Sequence, residues 1–224
     1  VTVAPSFAAK WLVPRLHRFL GQMPEVEVFI DIQLRLTELS QQDTHIAIMF
    51  GSGDFPAYRV DRLYKESIFP VCSPALIKGP KRLKDPRDLR KYTLLDVDWH
   101  SQGVSWPNWR TWFEAAGLSD VNPGRTVRFV HSALAIQAAI EGQGIALCES
   151  TLVADDLAAG RLVQPFALSL KGPPQFFYCM VSRKKAAPNS IEARFREWLI
   201  QETSGSQKAM KGKARGAAPG SGAR

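Results

Sequence analysis

Two serines stand where strand-like runs give way to helix-like ones, and a hydroxyl in that place has a specific chemistry. Ser6 follows Val1-Thr2-Val3-Ala4-Pro5, and Ser132 follows Thr126–Val130 and His131. The first N–H groups of a helix lack carbonyl partners within it. A neighbouring hydroxyl therefore either caps the helix or joins those N–H groups in holding an anion. The two uses are compatible, and spacing alone leaves both open. Phe7 is either a wall of such a site or plain packing. His131 adds an imidazole that ordinarily titrates near 6.5. Gly51 and Gly53, after the strand-like run 45–50, permit close approach or positive φ, with a simple turn as the equal rival.

A nucleophilic arrangement would use Cys148, His131 and Glu149 as nucleophile, base and orienter, which requires them within hydrogen-bond reach. No GxSxG, HExxH, phosphate-loop or GxGxxG pattern accompanies them, so no catalytic residue is expected. Cys72, Cys148 and Cys179 are odd in number, widely spaced and without a CxxC pair or His cluster. They read as buried thiols, not zinc ligands, and a redox pair would need two of them within disulfide reach. Neither a metal nor a cofactor is expected.

These residues need elements to hold them. Leu12, Leu16, Phe19, Leu20 and Met23 recur at spacings of three and four, which is one helix face, with Pro14 placed in its first turns. Val26, Val28, Ile30 and Ile32 alternate as in a strand. Further strands are expected at 68–72, 92–97, 126–130, 145–148, 162–166 and 176–181. Helices are expected at 106–116, 133–141 and near 152–159, with a last one capped by Asn189 and boxed by Glu192. Trp99, Trp106, Trp109 and Trp112 could suggest an aromatic ligand box, but Trp109 and Trp112 sit at helical spacing and read as core or subunit contact first. Arg15, Arg18, Arg125 and Arg128 could form a basic surface, but read first as solvated charges. Alternating strands and helices imply an α/β fold with mostly parallel sheet. Because the final strand and helix follow a completed second unit, the first unit is expected to be discontinuous: 1–68 plus 166–203, around 69–165. Two crossovers would then bound a cleft, with Ser6 and Ser132 at helix starts beside it.

The 224 residues are 45% hydrophobic, enough for a folded core. No run approaches the roughly 18 apolar residues of a membrane helix, and the start lacks a basic-then-apolar leader, so a cytoplasmic protein is expected. A chain that opens on Val-Thr-Val without an initiator Met reads as one cut at a domain boundary. The net charge is +8, and the last stretch supplies half of it through Lys208, Lys211, Lys213, Arg215 and Arg224 against Glu202. Residues 204–224 are expected to form a disordered basic tail.

The opening run Val1 to Leu16 resembles the start of the effector domain of LysR-type regulators, in the branch of the glycine-cleavage and β-lactamase-gene activators. Five further stretches agree, in family order: Ile46–Gly51, Phe69–Pro74, Trp109–Phe113 ending in Ala116-Gly117, Ala138–Leu147, and Gly160–Phe166. The resemblance covers residues 1 to about 200. It implies two Rossmann-like lobes of periplasmic-binding-protein type II character, joined by two crossover segments around a cleft for a small-molecule effector. That effector is expected to be a small anion or amino acid. The resemblance also implies homodimers or tetramers, no membrane, and promoter DNA and RNA polymerase as partners only through a helix-turn-helix ahead of Val1. Ser6 matches a hydroxyl position that contacts effector in the branch. Ser132 matches a small hydroxyl position there, from which His131 departs, and Phe176 and Tyr178 match a stretch that lines the cleft. A transport solute receptor of the same fold is the alternative function.

Overall fold

The computed structural model describes residues 1–32, 46–78, 82–98, 106–121 and 124–216, the last stretch from 206 onward as backbone alone. β1 (Thr2–Val3) leads into α1 (Pro5–Phe7), a π-helical segment (Ala8–Leu12) and α2 (Val13–Gln22), which continue one another. The helix thus starts seven residues ahead of the face expected from Leu12, with Pro5 in its first turn and Phe7 and Trp11 extending the buried face. Pro14 consequently lies well inside the helical run, where its ring would press on the carbonyl four residues back. The wider π turn just before it, closed by Val13 N–H to the Ala8 carbonyl, gives the room a regular turn would deny.

β2 (Asp31–Ile32), β3 (Ile46–Gly51) and β4 (Arg59–Tyr64) follow. β5 (Ser67–Val71) and β6 (Leu94–Val97) are separated by two 3₁₀ turns, and α3 (Trp109–Ala115) is closed by Gly117 at φ 71°. β7 (Thr126–Phe129), α4 (Ser132–Ile140), β8 (Ile145–Glu149), α5 (Ser150–Ala158), β9 (Leu170–Lys171), β10 (Phe177–Ser182) and α6 (Ile191–Gly216) complete the chain. Among the described residues no helix is long and apolar enough to cross a membrane.

The strands make two five-stranded sheets, ordered β2-β1-β3-β10-β4 and β7-β6-β8-β5-β9. Each holds a parallel trio flanked by an antiparallel strand: β10 against β3 in the first, β5 against β8 in the second. The chain passes between the sheets twice, from Tyr64 to Ser67 and from Lys171 to Phe177. The passages are tied together where the Glu66 carbonyl accepts a hydrogen bond from Gly172 N–H at 3.1 Å. By strand membership Ser67, Ile68 and Leu170–Lys171 lie on the second sheet, so the crossings fall before residue 68 and beyond residue 165. One apolar cluster bridges the sheets, joining Phe7, Trp11 and Ile48 to Leu95, Ile136 and Leu152. A second, around Trp109, Trp112 and Phe113, lies mainly on the second sheet, with Phe50 of β3 packed against it.

Several expectations are corrected. The alternation at 26–32 yields pairing only at Asp31–Ile32, while Val26, Val28 and Ile30 pack on the core outside the ladder. The apolar run 162–166 is no strand; it makes one bridge, Val163 to Cys72. The cap of α6 is Ser190, whose Oγ accepts from Ala193 N–H, and Asn189 adopts φ 63° ahead of it. The tail expected to lack structure continues α6 to Gly216, its Ala, Gln, Lys and Met being good helix formers added to an existing turn. Residues 217–224, the expected strand start at His45, and Trp99 lie outside the described residues.

Candidate functional site

The two serines meet. Ser6 Oγ, from the first unit, accepts a hydrogen bond from Ala133 N–H in the first turn of α4 at 3.1 Å. α4 belongs to the second unit and has no cap of its own, because His131 occupies the cap position without a side-chain bond. Ser6 therefore caps a helix across the junction, satisfying one of the N–H groups that α4 leaves open. Ser132, at the first helical position, turns its hydroxyl inward and donates to Glu149 Oε1 at 3.2 Å. Both serines are buried.

Aromatic rings enclose this contact. Phe7, fully buried, stacks on Trp11 at 4.9 Å and lies 4.8 Å from Tyr178. Phe50 stands 5.0 Å from Tyr178, 4.8 Å from Trp106 and 6.1 Å from Phe176. Alternation along β10 explains the selection: Phe176 and Tyr178 face the junction, while Phe177 faces away beneath the Arg62 guanidinium at 4.4 Å. Gly51 pairs with Phe177 inside β3. Gly53 at φ 70° approaches the Phe177 ring so closely that a Cβ would lie 2.8 Å from Cζ. These glycines thus serve the approach of β10.

Below the serines lie two carboxyls. Glu149 ends β8 directly opposite Ile68 of β5, and Glu66 stands two residues before Ile68, which places both glutamates on one face. Glu66 Oε2 accepts from Ser150 Oγ at 2.8 Å and Thr151 N–H at 3.0 Å, at the start of α5. Burial pushes the Glu149 carboxyl up to about 8, with the neighbouring Glu66 charge adding to it and the Ser132 hydrogen bond opposing. Burial raises Glu66 too, against the hydrogen bonds from Thr151 and Ser150. The Tyr178 phenol is raised by burial and by both carboxylates. Sequence reading attached no ligand role to Glu66 or Glu149. Their signal is only an acidic residue beside a strand, and nothing in the spacing shows that two strands bring the pair together.

The nucleophilic triad is not assembled among the described residues. Glu149 takes its hydrogen bond from Ser132, no hydrogen bond joins His131 to either partner, and burial drives the Cys148 thiol well above its usual range. All three cysteines are free and buried. No described group of His, Cys, Asp and Glu could hold a metal ion. Two ion pairs reinforce the junction behind the serines. Arg15 grips Asp155 through both guanidinium nitrogens at 2.7 and 2.8 Å, and Lys10 reaches Asp156 at 2.6 Å, so Arg15 is not a solvated charge.

Residues 1–204 match the family model for the LysR substrate binding domain. The glycine cleavage system transcriptional activator of Escherichia coli K12 is 37% identical over 211 residues, covering 94% of this chain and 67% of that protein. The HTH-type transcriptional activator AmpR of Citrobacter koseri is 30% identical, over 90% of this chain and 66% of its own. This chain therefore spans about two thirds of the length of these relatives. In fold it is similar to the effector domain of the transcriptional regulator AmpR of Pseudomonas aeruginosa, with a TM-score of 0.70 at 24% identity, covering 93% of this chain and 96% of that one.

Proposed function

The chain belongs to the LysR family as its substrate-binding domain, and on that premise we propose that it senses a small anion or amino acid at the Ser6–Ser132 junction and controls transcription through a helix-turn-helix elsewhere in the full-length protein. The observation that carries this reading is the hydrogen bond from Ala133 N–H to Ser6 Oγ. It marks the start of α4 as a set of N–H donors reached from the other unit. A carboxylate entering there would take over or share that N–H with the partial positive charge of the helix end behind it. Because Ser6 and α4 ride on different sheets, the same anion would alter how the two units sit.

The remaining assignments follow from this reading. Lobes built on the first sheet with α6 and on the second sheet are the bodies that move. The protein acts in the cytoplasm on promoter DNA and RNA polymerase, and no catalysis is assigned, in keeping with relatives that are transcriptional regulators. Pairing into homodimers uses sheet edges. β2 and β7 are edge strands among the described ones, with Phe29 and Ile32 exposed at one and Val127, Val130 and Leu134 at the other. A thermal-shift screen of small carboxylic acids, amino acids and neutral analogues tests the effector class. Anionic stabilisers that lose their effect on Ser6→Ala are expected; neutral hits indifferent to that substitution would overturn the reading.

A further inference from the structure

The Glu66–Glu149 pair asks for a counter-charge that no described residue supplies. Glu149 Oε2 and Glu66 Oε1 are buried and have no hydrogen-bond partner among the described residues. No described lysine or arginine forms an ion pair with either; the nearby Lys10 is engaged by Asp156. The groups that face the pair are hydroxyls and one donor N–H: Ser132 of α4, Ser150 and Thr151 of α5 and Tyr178 of β10, with the Cys148 thiol beside Glu149 in β8 feeling its charge. Leaving a buried carboxylate oxygen without a donor is costly, and a second carboxylate beside it compounds the cost.

We infer that Glu66 and Glu149 form a subsite for a positively charged nitrogen of the effector, which rests on the effector reading above and adds a cationic pole to it. An ammonium group brings three donors and one positive charge. Glu149 Oε2 and Glu66 Oε1 would take one donor each, and the Tyr178 side chain lies in the field of the same carboxylates. The spacing of the two poles is set by adjacent residues. Ala133 N–H marks the anion end, and the Ser132 hydroxyl leads to the carboxylates. A molecule bearing an amine and a carboxylate on neighbouring atoms, the α-amino acid head group, is the chemical class that serves both at once. The amine arrives charged, and the Glu149 carboxyl, protonated near neutral pH while the pair is alone, gives its proton to solvent and stays as the carboxylate.

The test is calorimetric titration of the 224-residue chain with the proteinogenic amino acids, each beside its deaminated acid, for example alanine beside propionate. Amino acids that bind are expected to do so about 10- to 100-fold more tightly than their deaminated partners. Binding near neutral pH, measured in phosphate and in Tris, is expected to release about one proton per ligand. Glu149→Gln keeps the acceptor for Ser132 in a neutral isostere; it should remove both the preference for the amine and the proton release. Glu66→Gln provides a second variant with the same expectation for the preference. Deaminated acids binding wild type equally well, binding undiminished and without proton release, or no amino acid binding at all would overturn the subsite. Acids that bind without regard to the amine yet weaken on Ser6→Ala would overturn the subsite alone. Binding that ignores Ser6→Ala would instead overturn the junction reading.

Discussion

Ser6 does for α4 what a residue on α4's own chain segment would normally do, and its removal should separate capping from sensing. Ser6→Ala is expected to cost about 1 kcal/mol in urea unfolding, while effector-dependent transcription of the full-length protein falls sharply. Ser6→Thr keeps the hydroxyl and should restore most of the response in the same reporter assay. Glu149 gives a pH signature. A carboxyl whose folded pKa lies above its unfolded one supports the fold while protonated and loses that contribution once ionised. Stability is therefore expected to decline as pH rises from the usual carboxylate range through about 8. The decline amounts to a few kcal/mol in all, since each tenfold change in proton affinity between the folded and unfolded chain is worth about 1.4 kcal/mol. Glu149→Gln should flatten it, read as the difference between unfolding midpoints at about pH 5 and about pH 8; an unchanged slope would remove Glu149 as its source. At this scale the serines were legible because helix starts announce themselves by hydroxyls after strand-like runs. The glutamates were not, since their chemistry comes from a pairing of β5 with β8 that no local pattern encodes.

At the scale of elements, α5 is the joint between the units. Its start binds Glu66, and its later turns bind Lys10 and Arg15. The two acids there differ in burial, and burial decides their worth. Asp156, nearly inaccessible, holds Lys10 and Arg161, so Asp156→Ala strands a charge and is expected to cost about 3 kcal/mol or more. Asp155 is 43% exposed, and Asp155→Ala should cost about 1 kcal/mol or less. Chemical denaturation of both variants checks the ordering. The sequence placed most helices and strands within a few residues, because apolar periodicity and terminal glycines are local signals. It missed the early start of the first helix, although Phe7, Ala8, Trp11 and Leu12 already lie on one buried face, because Pro5 reads as a break, and it overread the 162–166 run, whose Phe166 packs on Trp112 and whose only ladder contact is the single bridge of Val163 to Cys72. β9 escaped because a two-residue strand has no period to read.

For the whole molecule, the exposed apolar residues at opposite sheet edges set an expectation for association. Phe29, 77% exposed, lies beside β2, and Leu134 lies on α4 beside β7. If these edges meet in a second copy, Phe29→Glu and Leu134→Glu each lower the sedimentation mass from dimer toward monomer while leaving the circular dichroism unchanged. A mass indifferent to both would place pairing on another surface. The arrangement of the two sheets could be foreseen only as a discontinuous pattern of strands; their pairing order, and the bridging core of Phe7, Trp11 and Leu152, required the fold itself.

The bond between the Glu66 carbonyl and Gly172 N–H fixes more than a local geometry. Two connectors pinned side by side are the geometry of an axle, and if the halves move on binding, rotation about the line through the pin is the motion that leaves this bond intact. On the effector reading proposed above, a bound guest would then transmit a swing whose reach grows with distance from that axle, and not a slide of one half along the other.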